Sequence, residues 1–456
     1  MPTFPPPSSP RAPSGKRVVR VRKSGRSEIL PVPPDATSGL AVDSLGYSLL
    51  LAARALAQVR AGRSLNEAHG ALADQPTVAR AAAQDIIYGV LRAYGRGDFI
   101  LGRLMARPLT HEETQALLLA ALYRLETRPG AEPMVVDQAV AAAGELVNGT
   151  LKPVVNGVLR NFLRQRDSLL TEVQGDDVAR HQHPAWWLSR LRRAFRDDWP
   201  SIVAAGNMAP PMTLRVNTRR ISVNDYLDKL QSLDASAEKV GSVGLRLAMP
   251  MGVERLPGFA DGWVSVQDAG AQRAAELLDP PLGARVLDAC AAPGGKTAHL
   301  LERADVKVVA LDIDATRTRR ISDNLERLGL TAEVRTADCL AVDEWWDGNA
   351  FDAILADVPC SASGVVRRHP DIKTLRRESD IRALARTQTT ILDTLWRLLK
   401  PGGRMLYATC SVFGEENEGQ IDAFLVRQTD AQRIVEERWL PNAAHDGFYY
   451  ALLEKA

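Results

Sequence analysis

Apolar positions recur with helical spacing along the chain from about residue 43 to residue 170. Leu49, Leu50, Ala53, Leu56 and Ala57 form one stripe, and Ile86, Ile87, Val90 and Leu91 a second. Leu118, Leu119, Leu122 and Leu125 form a third, and Val154, Val155, Val158, Leu159 and Phe162 a fourth. Stripes of this period with polar residues between them predict helices that each bury one face. Breaks such as Arg128-Pro129-Gly130 separate them, so residues 39–170 read as one all-helical domain. The pattern then changes. HPAWWLSRLRRAF reads as an amphipathic helix, TLRVN as a strand and SVNDYLDKL as a helix capped by Ser222, which together suggest a small α/β linker domain over residues 171–260. From 261 to 456 the segments ARVLDAC, KVVALDI, AEVRTAD, FDAILADV and GRMLYATC are near-continuous apolar runs with helix-length segments between most of them. They predict a parallel sheet covered by helices on both faces, where ligands bind beyond the carboxyl ends of the strands.

Composition narrows the class of protein. The 456 residues allow two or three domains, and 45% apolar with 25% charged residues is ordinary for a globular chain. No apolar run approaches the roughly 20 residues that span a bilayer, so a cytoplasmic protein without membrane contact is expected. Residues 1–38 carry Arg11, Lys16, Arg17, Arg20, Arg22, Lys23 and Arg26 with no apolar stretch behind them, and read as a disordered basic arm, unlike a secretory signal. Arg190, Arg192, Arg193 and Arg196 form a second basic cluster. The net charge of +2 is mild, but such clusters are an electrostatic footprint for phosphate. Trp186 and Trp187 read as packing residues, and His183, before Pro184, as the end of a turn. Cys290, Cys339, Cys360 and Cys410 have no CxxC pairing and no histidine at ligand spacing, which points to reduced thiols and to neither a disulfide framework nor a metal site.

The strand ends carry the candidate chemistry. The first runs from Asp288 into Cys290, Ala291, Ala292, Pro293, Gly294, Gly295 and Lys296, where paired glycines allow close backbone approach before a helix start. About twenty residues on, Asp312 ends the next strand, where an acid can bind ribose hydroxyls. Asp338, after the third, can accept from an adenine amino group. These residues outline a nucleoside pocket with room for an amino-acid tail, and their spacing departs from the GxGxxG of dinucleotide sites. S-adenosylmethionine fits better than NAD. Asp357-Val358-Pro359-Cys360 and Thr409-Cys410-Ser411 follow the next two strands. Carbon 5 of cytosine is a poor nucleophile until a thiolate adds to carbon 6, so methylation there calls for covalent catalysis by cysteine. A carboxyl such as Asp357 near ring nitrogen 3 could stabilise the adduct. Cys290 and Cys339 read as core cysteines. Which of Cys360 and Cys410 attacks is left open by the residues themselves. Arg367, Arg368 and His369, in the loop after Cys360, are candidates to meet RNA phosphate, with a solvated loop as the alternative.

DACAAPGGK, ADVPCSASG, RRHPDIK and YATCSVFGEENE resemble the segments of RNA 5-methylcytosine methyltransferases, and specifically of the RsmB family acting on small-subunit ribosomal RNA. QDIIYGVLRAYGR and VNGVLRNFLR are similar to the NusB-like RNA-binding domain of that family. The resemblance implies an all-α NusB-like domain, a small α/β linker and a Rossmann-like class I methyltransferase domain. It implies S-adenosylmethionine contacts from Cys290 through Lys296 and from Asp312, Asp338 and Asp357. It further implies Cys410 as nucleophile and Cys360 as the residue that assists product release. The substrate implied is 16S ribosomal RNA, free or within a small-subunit assembly intermediate, with the enzyme a monomer. Transfer RNA as substrate, and a catalytically silent RNA-binding or assembly factor, are the alternatives. The basic arm lies outside the family pattern.

Overall fold

A computed structural model describes residues 39–456; the basic arm lies outside them. The chain starts with seven helices: α1 (Leu45–Arg60), α2 (Leu65–Gly70), α3 (Thr77–Arg92), α4 (Arg96–Leu104), α5 (Glu112–Thr127), α6 (Glu132–Gly144) and α7 (Lys152–Val173). Helix α1 is apolar nearly all round, from Leu49 to Val59, and so becomes the buried axis against which α3, α5 and α6 pack. Ser44 caps it by accepting from the Tyr47 amide. Three short helices follow, α8 (Asp177–His181), α9 (Ala185–Ala194) and α10 (Trp199–Asn207). Trp187 is fully buried there, and Trp186 packs against the same cluster.

A four-stranded antiparallel sheet comes next, in the order β2 (Ala237–Val240), β3 (Gly244–Leu247), β1 (Thr213–Val216) and β4 (Val264–Val266). Helix α11 (Val223–Gln231), capped by Ser222, packs on it. Two element positions differ from the domain divisions that patterning suggests: α7 continues through residue 170 to Val173, and β4, beyond residue 260, pairs with β1.

The large sheet has seven strands in the order β10 (Ala431–Trp439), β11 (Phe448–Lys455), β9 (Leu399–Thr409), β8 (Phe351–Asp357), β5 (Arg285–Asp288), β6 (Lys307–Asp312) and β7 (Glu333–Thr336). Its five strands from β9 to β7 are parallel, but β11 runs antiparallel to both β9 and β10. The expected all-parallel sheet is therefore mixed. β10 alternates exposed and half-buried positions, as an edge strand does, whereas Phe448 to Leu453 in β11 are buried on both faces. Helices α12 (Ala269–Leu278), α13 (Gly295–Arg303), α14 (Ala315–Leu328), α15 (Val342–Trp345), α16 (Ile372–Leu375), α17 (Glu378–Trp396) and α18 (Glu418–Arg427) complete this region. The chain leaves β5 toward β6 and β7 and then returns to β8 on the opposite side. The switch in direction falls between β5 and β8, at the carboxyl ends that carry the motifs. Among the described residues, no helix is long and apolar enough to cross a membrane.

Candidate active site

The loop from Cys290 to Lys296 touches all three strand ends that were expected to surround it. Gly294 adopts φ +93°, a left-handed conformation open mainly to glycine, and a Cβ there would press on the Ile321 backbone and side chain. Helix α13 starts immediately after. Lys296, in its first turn, donates from Nζ to Asp357 Oδ2 at 2.6 Å. Asp312 accepts from the Ala292 amide at 3.2 Å and from the Asp314 amide at 3.1 Å, and Arg317 lies 3.4 Å from it. The Cys290 thiol lies against that of Cys339, which places Asp338 beside the loop. Asp338 itself accepts from the Leu340 amide.

Sequence reasoning missed two anchors of this loop. Asp288 is fully buried, accepts from Thr297 Oγ1 at 2.6 Å, and leaves Oδ1 without a partner. Burial pushes its carboxyl up to about 7, against the Thr297 hydrogen bond, which pulls it down. Arg215 of β1 is also fully buried. Its guanidinium meets Glu302 of α13 through two nitrogens, at 2.7 and 2.8 Å, and its third nitrogen donates to Gln267 at 2.6 Å and to the Gly295 carbonyl at 2.8 Å. The small sheet thus holds the start of α13.

The two cysteines, 50 residues apart, meet with Sγ atoms 3.4 Å from each other. Cys360 is buried and Cys410 half-buried. The Cys410 thiol and burial together push the Cys360 thiol well above its usual range, so it stays protonated. Burial alone would pull the Lys296 ammonium down, but Asp357, with Cys410 and Asp288 beyond it, outweighs that pull and keeps it charged. Close backbone approach brings the loops together. The Gly364 amide donates to the Cys410 carbonyl at 2.8 Å, and a Cβ on Gly364 would sit 2.5 Å from the Gly447 carbonyl. A cavity of about 1020 Å³ lies elsewhere, lined among others by Arg60, Tyr94, Arg96, Tyr123 and Glu126, where Arg60 pairs with Asp98 and Arg96 with Glu126.

Three stretches match known families: residues 275–454 the 16S rRNA methyltransferase RsmB/F, residues 183–254 the ferredoxin-like domain of RsmF/B-like methyltransferases, and residues 48–164 the NusB family. The ribosomal RNA small subunit methyltransferase B of Vibrio cholerae is 44% identical over 387 residues, which is 82% of this chain and 89% of that protein. Its namesake in Pseudomonas syringae is 43% identical over 431 residues, 89% of this chain and 96% of that protein. The chain belongs to the RsmB/F methyltransferase family. Solved structures agree on the fold. PH0851 superposes with a TM-score of 0.76 over 90% of this chain and 99% of that one, at 23% identity. A methyltransferase homologue from Pyrococcus horikoshii gives 0.55 over 61% and 97%, at 28% identity. The NusB-like and Rossmann-like parts are those the sequence leads one to expect, and the ferredoxin-like match covers most of the region that patterning reads as a small α/β linker.

In this RsmB/F chain Arg367, Arg368 and Lys373 of the RRHPDIK segment are held by protein partners. Arg367 is 1% exposed and pairs with the buried Asp446. Arg368 pairs with Asp446 and Asp268 and donates to the Pro211 carbonyl. Lys373, also 1% exposed, donates to the Arg92 carbonyl at 2.8 Å and to Asn207 at 2.6 Å, and Asp371 accepts from the Leu65 amide at 2.9 Å. Of the residues expected to meet phosphate, His369 is exposed. The segment joins the helical, ferredoxin-like and methyltransferase regions. Two of the four clustered arginines are likewise engaged, Arg190 with Glu415 and Arg192 with Asp177.

Proposed function

We propose that this RsmB/F family member methylates carbon 5 of a cytosine in 16S ribosomal RNA through a covalent cysteine adduct, with S-adenosylmethionine as methyl donor. The observation that carries the reading is the pair of thiols 3.4 Å apart, one half-buried and one buried, beside the Lys296–Asp357 ion pair. The residues present suit the donor. The start of α13 can take its carboxylate, Asp312 its ribose, Asp338 its adenine amino group, and the unpartnered Oδ1 of Asp288 faces no competing protein donor. When bound, the donor supplies an electrophilic methyl group.

The thiolate of Cys410 adds to carbon 6 of the cytosine, and the ring electrons move to carbon 5, which becomes nucleophilic. Asp357, held by Lys296, is the carboxyl assigned to hydrogen-bond the ring at nitrogen 3 and stabilise the adduct. After carbon 5 has gained its methyl group, water takes its proton, the carbon–hydrogen electron pair forms the carbon 5–carbon 6 double bond, and the carbon 6–sulfur pair leaves on Cys410 as thiolate, which restores the aromatic ring. Cys360, adjacent to the leaving sulfur, assists that elimination. The substrate form would be 16S RNA, free or in an assembly intermediate, engaged by a monomer in the cytoplasm.

Two variants test the assignment. Cys360→Ala should methylate and then stall, so that a protein–RNA adduct carrying the methyl group survives denaturing electrophoresis. Cys410→Ala should give neither adduct nor product while binding the donor normally. Adduct in Cys410→Ala and none in Cys360→Ala would move the nucleophile to Cys360. Methylation of transfer RNA in preference to 16S RNA would overturn the substrate.

A further inference from the structure

Glu416 takes no part in the chemistry above, yet it is completely buried and bonded to both cysteine loops. Its Oε1 accepts from the Ser361 amide at 2.8 Å and from Gln388 Nε2 at 3.1 Å, and its Oε2 accepts from the Ser411 hydroxyl at 2.5 Å. Ser361 follows Cys360 and Ser411 follows Cys410, so the two oxygens of one carboxylate span the two thiol loops. The hydroxyls of Ser361, Ser363 and Ser411 lie 3.0–3.2 Å from one another, and Ser363 also accepts from the Val412 amide. Tyr407 donates to the Glu416 carbonyl at 2.6 Å and holds its backbone in turn. All the carboxylate's hydrogen-bond partners are neutral donors, and a buried carboxylate is tolerated only where such donors satisfy it. The arrangement is specific in another way. Glu416 places negative charge near Cys360, which reinforces the protonated state of that thiol.

We propose that Glu416 is the positioning residue of the thiol pair: by holding Ser361 and Ser411 on its two oxygens it fixes the Cys360 and Cys410 sulfurs against each other. This rests on the roles given to the two cysteines in the proposed reaction. Its geometric content can be read without RNA or donor. With diamide as oxidant, the Cys410 thiol adds across the azo bond, and the Cys360 thiol then displaces the hydrazine to leave a disulfide. Peptide mapping separates that disulfide from one between Cys290 and Cys339. In Glu416→Ala, closure of the Cys360–Cys410 disulfide should slow by about tenfold or more. Misplacement of the nucleophile should also lower kcat by about 100-fold, with the dissociation constant for S-adenosylmethionine within about threefold of wild type. Glu416→Gln keeps polar atoms for the same partners and should recover most of both rates. If Glu416→Ala does not fold, Ser411→Ala, which removes the Oε2 link together with that hydroxyl's contacts to Ser361, Ser363 and the Phe413 amide, decides by the same closure rate. Wild-type closure in whichever of these two variants is folded, or Gln no better than Ala, would overturn the proposal. A wild-type protein that methylates no cytosine would instead refute the reaction, and the closure rates would still judge the role of Glu416.

Discussion

Replacing Arg215 with methionine should destabilise the protein more than any loss of a surface charge. The guanidinium is fully buried and meets four acceptors, two of them the oxygens of Glu302, whose side chain is 3% exposed. Arg215→Met leaves that carboxylate in a dry site without its partner, a change that costs about 3–5 kcal/mol. Each charge-assisted bond removed is worth about 1.5–3 kcal/mol, so that cost needs only part of the set and the bonds do not add. For a domain of roughly 200 residues this is a fall of about 6–20 °C in the melting midpoint. The Gly295 carbonyl also loses its anchor, so affinity for S-adenosylmethionine should fall. The double variant Arg215→Met/Glu302→Leu removes both charges and should recover part of the stability, because no ion is stranded. Calorimetric melting of the wild type and the two variants at one pH measures this directly. A single variant within about 1 kcal/mol of wild type, or a double variant less stable than the single, would refute the reasoning.

The carboxyl of Asp288, raised from 3.8 to about 7 by burial, holds its proton more tightly folded than unfolded. That contribution to stability is complete below the unfolded value and is lost as pH rises through the folded one. Asp288→Asn, which still accepts from Thr297, should therefore gain about 2–3 kcal/mol on wild type between pH 5 and pH 8, and parallel denaturation midpoints across that range would disprove it. Asp446→Ala strands Arg367 in a site where it is 1% exposed, so it should cost about 3–5 kcal/mol and speed amide exchange across residues 365–376; unchanged exchange there would count against the clamp. Asp312→Ala should weaken donor binding by about 1.5–3 kcal/mol for each ribose hydroxyl that no longer finds its acceptor, and an unchanged dissociation constant by titration calorimetry would remove it from the ribose role.

Local patterning alone determined much of this protein. Helical periodicity outlined α1, α3, α5 and α7, apolar runs located β5, β6, β7, β8 and β9, and the motif residues fall at the strand ends because a parallel strand must end on the same side as its neighbours. Cys360 and Cys410 were legible as a pair by their motifs, but their meeting was not, since two residues 50 positions apart come together only when β8 and β9 lie side by side. The antiparallel β11 escaped notice because an apolar run has no direction until it finds its partners. Burial decided the remainder. Arg215, Lys373 and Glu416 read in the sequence like any charged residue on a solvated surface and Arg367 like a phosphate contact, and the fold placed each in the interior opposite acceptors or donors from distant segments. A charge shows nothing in one dimension of whether water will reach it. That is set by the packing of domains, which also made Arg367, Asp371 and Lys373 of RRHPDIK a joint between them.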